Sequence, residues 1–176
     1  GMAIVHMIEP LEESLTLARE AEKQAKKKRN ELAIHFQKRS GSEEMKISLP
    51  FSGHPIRSMI ELQVLHRKGY LSSSFAFDLR QLHAEYSSLK SHWKSLSEPQ
   101  MAELMKLEIR RLLHKKKPEH VKSEKLDRFV LRKMLAIFER PAEDGMKPPQ
   151  DPLLCLKRLA EQCVIAMTLR KEGESD

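Results

Sequence analysis

Eight basic side chains carry the clearest chemistry in this sequence: Lys106, Arg110, Arg111, His114, Lys117, Lys125, Arg128 and Arg132. Between Lys106 and Lys133 stand eleven Lys or Arg residues and four Asp or Glu residues, so this segment accounts for the whole formal net charge of +7. At about 100° per residue, Lys106, Arg110, His114 and Lys117 share one helix face, opposite Met101, Met105, Ile109 and Leu112. On the next helix Lys125, Arg128 and Arg132 turn away from Phe129, Val130 and Ile137. A short turn over 118–122 would make the two helices neighbours and merge their stripes. Such a surface suits phosphates or acidic side chains. No aromatic lies within 106–128, which favours contact with a charged backbone over base stacking. The competing reading is a solvated face whose bases pair with Glu103, Glu108 and Glu139.

Other chemistry finds less support. None of the eight histidines has a Glu three residues before it, as helical di-iron sites require, and there is no His-Glu-x-x-His pair. Glu31 and His35 stand four residues apart, which reads as a surface pair. No serine sits in a Gly-x-Ser-x-Gly elbow, and neither cysteine has a redox Cys-x-x-Cys spacing. No catalytic residue, metal ligand or cofactor is therefore assigned, and an enzyme would need a site assembled across helices. Leu65 to Phe75 has the layout of a helix-turn-helix, but its second helix spends its apolar stripe on packing. Lys26 to Arg29 points all round a helix and reads as exposed. Lys133 falls in an apolar sector and is expected to snorkel to the rim.

The elements that would position these residues read as all-α: a helical bundle of five or six helices with a long N-terminal helix. Apolar residues make up 40% of the chain, charged residues 32% and aromatics 5%. The reading is one domain over 1–176, with a helix at 9–39 ended by Ser40-Gly41, a loop at 40–54 and a helical core at 55–171. Within the loop, the alternation of Met45, Ile47 and Leu49 could press a short extended piece onto the core. Pro55 opens the second helix and Gly69 caps it left-handed. Ser72 to Ser74 cap a third, whose residues Phe75, Leu79, Leu82, Tyr86, Leu89, Trp93 and Leu96 form one seam. That seam reads as the stripe of an intramolecular bundle and leaves a homodimer as the alternative.

Ser97 with Pro99 opens a fourth helix, Ser123 a fifth reaching Arg140, and Asp151-Pro152 a sixth. A connector rich in Gly and Pro lies between the last two. Cys155 and Cys163 share that sixth helix at a spacing of about 12 Å, too far to bridge. Free buried thiols fit a cytoplasmic protein, as does an N-terminus without a secretory pattern. No apolar run is long enough for an integral membrane span. The expected function is that of a non-enzymatic interaction protein, an adaptor or regulator with a protein partner. Nucleic-acid or anionic-lipid backbone binding through 106–133 is the alternative.

Overall fold

The computed structural model of the protein describes residues 1–38, 44–89, 96–139 and 151–172. Contacts divide the chain into two compact units, Gly1–Ser58 and Met59–Asp176. The first unit opens with strand β1 (Met2–Val5), followed by helix α1 (Leu11–Lys28) and strands β2 (Glu31–Gln37) and β3 (Met45–Pro50). The sheet order is β1-β2-β3, with β2 parallel to β1 and antiparallel to β3. Parallel neighbours need a crossover, and α1 is that crossover, packed on the sheet it connects.

This overturns the all-α expectation and the helix at 9–39. The chain is predominantly helical but carries a three-stranded mixed sheet, and its first helix ends at Lys28. Arg29 (φ 53°) and Asn30 (φ 48°) both adopt left-handed backbone, which stops a right-handed helix without a proline or glycine. Beyond them, Leu32 to Phe36 are buried without a break. Leu32, Ile34 and Phe36 do alternate with Glu31, Ala33, His35 and Gln37, but this period-2 signal is short and follows directly on the helical segment, so the longer helix pattern absorbs it. β3 alternates as well. Met45, Ile47 and Leu49 are buried and pair in register with Phe36, Ile34 and Leu32, so the extended piece expected there is a full strand.

The alanines of α1 explain how it lies on the sheet. Ala21 is fully buried, and a methyl side chain lets the helix axis approach closely. Glu12 and Glu13 occupy the first turn, where the helix dipole favours negative charge.

Helix α2 (Pro55–Arg67) spans the division between the units. The second unit continues with α3 (Ser73–Leu89), α4 (Glu98–Lys115), a short turn of helix α5 (Ser123–Lys125), a π-helical turn (Leu126–Leu131), α6 (Arg132–Glu139) and α7 (Pro152–Glu172). Helix starts fall where the sequence places them, within a residue or two. Gln100 Oε1 accepts from the Ser97 backbone N–H at 2.9 Å, and Asp151 Oδ1 accepts from the Leu153 N–H at 2.9 Å. Gly69 has φ 71°, and the fully buried His66 closes the same turn by donating from Nδ1 to the Leu71 carbonyl at 3.2 Å.

α7 is the core of this unit, packing along α3 and touching α4 and α6. From Gln162 to Thr168 every residue is buried, so this helix has no solvent face over that stretch. The expected seam is buried at Phe75, Leu79 and Leu82 and emerges at Leu89, where α3 ends, so that Leu96 lies outside the helix. The helix stop expected at Ser40-Gly41, the seam residue Trp93 and the connector expected over 142–150 lie outside the described residues. Among the described residues, no helix is long and apolar enough to cross a membrane.

Two expected outcomes follow from this packing. Ile34→Ala, at a fully buried position of the central strand, lowers unfolding free energy by about 2–5 kcal/mol, whereas Met7→Ala on the surface changes it by less than about 0.5 kcal/mol, both read from denaturant titration. Burial pushes the Cys155 thiol up to about 11 and the Cys163 thiol up to about 12. Both therefore resist a thiol-specific chromogenic reagent in native buffer and react together once the chain is unfolded.

Candidate functional site

α4 owes its orientation to a buried face of Met101, Ala102, Met105, Ile109 and Leu113, which turns its bases outward. Most of those bases are met by carboxylates of their own neighbourhood. Lys106 Nζ lies 2.8 Å from Glu103 Oε1, and Arg111 reaches Glu108 Oε2 at 2.8 Å. Arg110 Nη2 donates to Asp127 Oδ2 at 2.9 Å and His114 Nε2 to Asp127 Oδ1 at 2.7 Å, so one carboxylate clasps α4 to the π-helical turn. Lys117 Nζ donates to the Val121 carbonyl at 2.8 Å, closing the turn between α4 and α5. Asp127 thus fastens the α4 stripe to the π-helical turn that carries Arg128.

The cations without an ion pair among the described residues gather farther along. Lys115, Lys122, Lys125, Arg128 and Arg132 are exposed. Lys125 Nζ stands 5.2 Å above the Tyr70 ring, and the Arg128 guanidinium lies 5.6 Å from the Phe129 ring. Phe129 is 52% exposed, although the sequence pattern puts it in the core. The π-helical turn is the reason: hydrogen bonds from i to i+5 insert extra backbone into the turn and rotate Phe129 outward with the bases. Leu126, Val130 and Leu131 keep the buried side.

Sequence reasoning missed Arg67 and Lys68. They are exposed at the end of α2, immediately before Gly69. A Cβ built on Gly69 would lie 3.6 Å from His120 Cε1, so the α2–α3 turn rests on the α4–α5 turn. Together with the Tyr70–Lys125 contact, this sets the turn that follows Arg67 and Lys68 against the basic segment. Their only sequence signal was the tripeptide of bases at His66–Lys68, far from 106–133. Lys133 is 47% exposed and pairs with Glu61 at 3.2 Å, a rim position. Comparison of the chain with protein-family models, curated proteins and solved structures finds no match.

Burial pushes the Asp127 carboxyl up, but the hydrogen bonds and charges of His114 and Arg110 outweigh it and hold the group below the ordinary carboxylate range. A carboxylate depressed in the folded state contributes stability above its unfolded pKa of about 4 and loses it as pH falls through the folded value. Asp127→Ala therefore lowers stability at pH 7 by about 1–2 kcal/mol, and the gap between variant and wild type closes in acid, as measured by thermal unfolding across pH 2–7.

Proposed function

We propose that this protein is a non-enzymatic interaction module whose second unit docks an acidic protein segment at the end formed by the α2–α3 and α4–α5 turns. The observation that carries the reading is the meeting of Gly69 with His120 and of Tyr70 with Lys125, which sets Arg67, Lys68, Lys122 and Lys125 at one end of the unit. Arg128, Arg132 and the exposed Phe129 extend the same surface with an aromatic ring among cations. Acidic segments with apolar residues match that mixture: carboxylates answer the bases and an apolar side chain covers the ring. A nucleic-acid backbone is served less well. Its regular phosphates ask for an unbroken basic track, and along α4 that track is interrupted by Glu103, Glu108 and Asp127.

A cytoplasmic setting accords with two buried cysteines that form no disulfide. The seam of α3 belongs to the unit's own core through Phe75, Leu79 and Leu82, which supports a monomeric bundle over a dimer seam.

The test is fluorescence anisotropy with a labelled peptide alternating Glu and Leu, and with a random-sequence duplex DNA as the second probe. The peptide is expected to bind with affinity that falls as salt rises. Reversing Lys122, Lys125, Arg128 and Arg132 together to Glu weakens it by about tenfold or more, while Lys106→Glu leaves it near wild type. Equal peptide binding by the fourfold variant, or a tighter and equally charge-dependent hold on the duplex, would overturn the proposal, the latter in favour of phosphate-backbone binding.

A further inference from the structure

A separate cluster lies in the first unit, where α1 faces the sheet. His35, on the central strand and only 2% exposed, turns its ring toward α1. Its Nε2 donates to Gln24 Oε1 at 2.8 Å, and the Gln24 amide nitrogen donates in turn to Ser48 Oγ at 2.8 Å. With Nε2 carrying the proton, Nδ1 carries the lone pair. That lone pair looks out between two carboxylates: Glu44 Oε1 lies 3.1 Å from Nδ1 and Glu20 Oε2 3.9 Å. Although Glu44 is near, it and the ring nitrogen are not placed to hydrogen-bond each other, and neither Nδ1 nor Glu44 Oε1 has a hydrogen-bond partner.

We infer that His35, Glu20 and Glu44 form a binding site for a first-row divalent cation such as Zn²⁺ or Mn²⁺. The three ligand atoms lie within 4.8 Å of one another. Two ligands about 2.1 Å from one ion and at a right angle to each other stand about 3 Å apart, and wider angles separate them by nearly 4 Å. The two Nδ1-to-oxygen distances span that range. An ion bound by both groups would account for a carboxylate that lies 3.1 Å from Nδ1 without hydrogen-bonding it. Gln24 supplies the outer partner that metal-bound imidazoles have, a fixed acceptor on the other ring nitrogen. One imidazole with two carboxylates is a borderline-hard set, which suits Zn²⁺ or Mn²⁺ better than a thiolate-seeking ion.

Lys46 is the internal competitor. Its ammonium answers Glu20 Oε2 at 3.0 Å and Glu44 Oε2 at 3.1 Å. The Glu44 oxygen that faces His35 is the other one, Oε1. Lys46 is 44% exposed on a flexible stem, so it can withdraw into solvent as an ion enters.

Isothermal titration of the metal-free full chain with ZnCl₂, and separately with MnCl₂, tests this. One ion per chain is expected, with affinity reduced about tenfold or more by Glu44→Gln and by Glu20→Gln, side chains that are not buried and whose loss leaves the core intact. Lys46→Met is expected to raise affinity about tenfold by removing the competing ammonium, an effect that a mere surface ion-pair cluster would not produce. Mn²⁺ should also broaden the His35 ring resonances before those of other histidines, a readout in wild type that needs no His35 variant to fold. No saturable binding at millimolar metal, binding indifferent to both Glu→Gln changes, or first broadening at another histidine would overturn the assignment.

Discussion

Segments with no solvent face dictate the rest of this structure. Leu32 to Phe36 in β2 and Gln162 to Thr168 in α7 are buried residue after residue, and a backbone or side chain enclosed in that way must find partners on every side. For β2 the partners are β1 and β3 along its two edges and α1 across one face. Parallel pairing with β1 then fixes α1 as a crossover, which is why the first helix must stop near Lys28 to let the chain return. For α7 they are α3, α4 and α6, and its own polar residues are handled locally, as where Thr168 Oγ donates to the Val164 carbonyl at 2.9 Å.

Enclosure of that kind also explains what could be read without coordinates. Boundaries of the helical unit are legible because they depend on local chemistry: Pro55, Ser97 with Gln100, Asp151 with Leu153, and Gly69 at a left-handed position all act within a few residues of themselves. β3 is half legible because one of its faces is polar, so Met45, Ile47 and Leu49 stand out. β2 is harder to read. Its alternation of Leu32, Ile34 and Phe36 is short and adjoins a helix, and the two residues that break the helix before it, Arg29 and Asn30, are types that occur throughout helices. Tertiary burial overrides local preference there. Likewise Phe129 looked like core by helical spacing, and the π-helical turn moved it.

The candidate surface divides along the same line. Sequence shows where bases are concentrated but not which of them are answered. Glu103 and Glu108 sit three residues from their partners on α4, close enough to be foreseen. Asp127 serves Arg110 and His114 from 17 and 13 residues away, a pairing visible only once α4 and the π-helical turn are set side by side. Arg67 and Lys68 join the surface through the packing of one turn on another, at a separation no local pattern spans.

Polar groups at the two buried faces behave differently, and the contrast bears on function. His66 sits fully buried in the second unit with Nδ1 spent on the Leu71 carbonyl, closing a turn. His35 is buried to nearly the same degree, and its Nε2 is satisfied through Gln24 and Ser48, yet its second nitrogen faces two carboxylates with no proton well placed between them. An unsatisfied buried nitrogen costs about 1–3 kcal/mol and has no structural use here, since the sheet is already held by its ladder and its apolar face. A positive charge shared between them would satisfy all three groups at once. Lys46 supplies part of that charge from the solvent side of the carboxylates but does not reach the ring, which leaves the inner side of Glu44 and the lone pair of His35 to a cation small enough to fit between them.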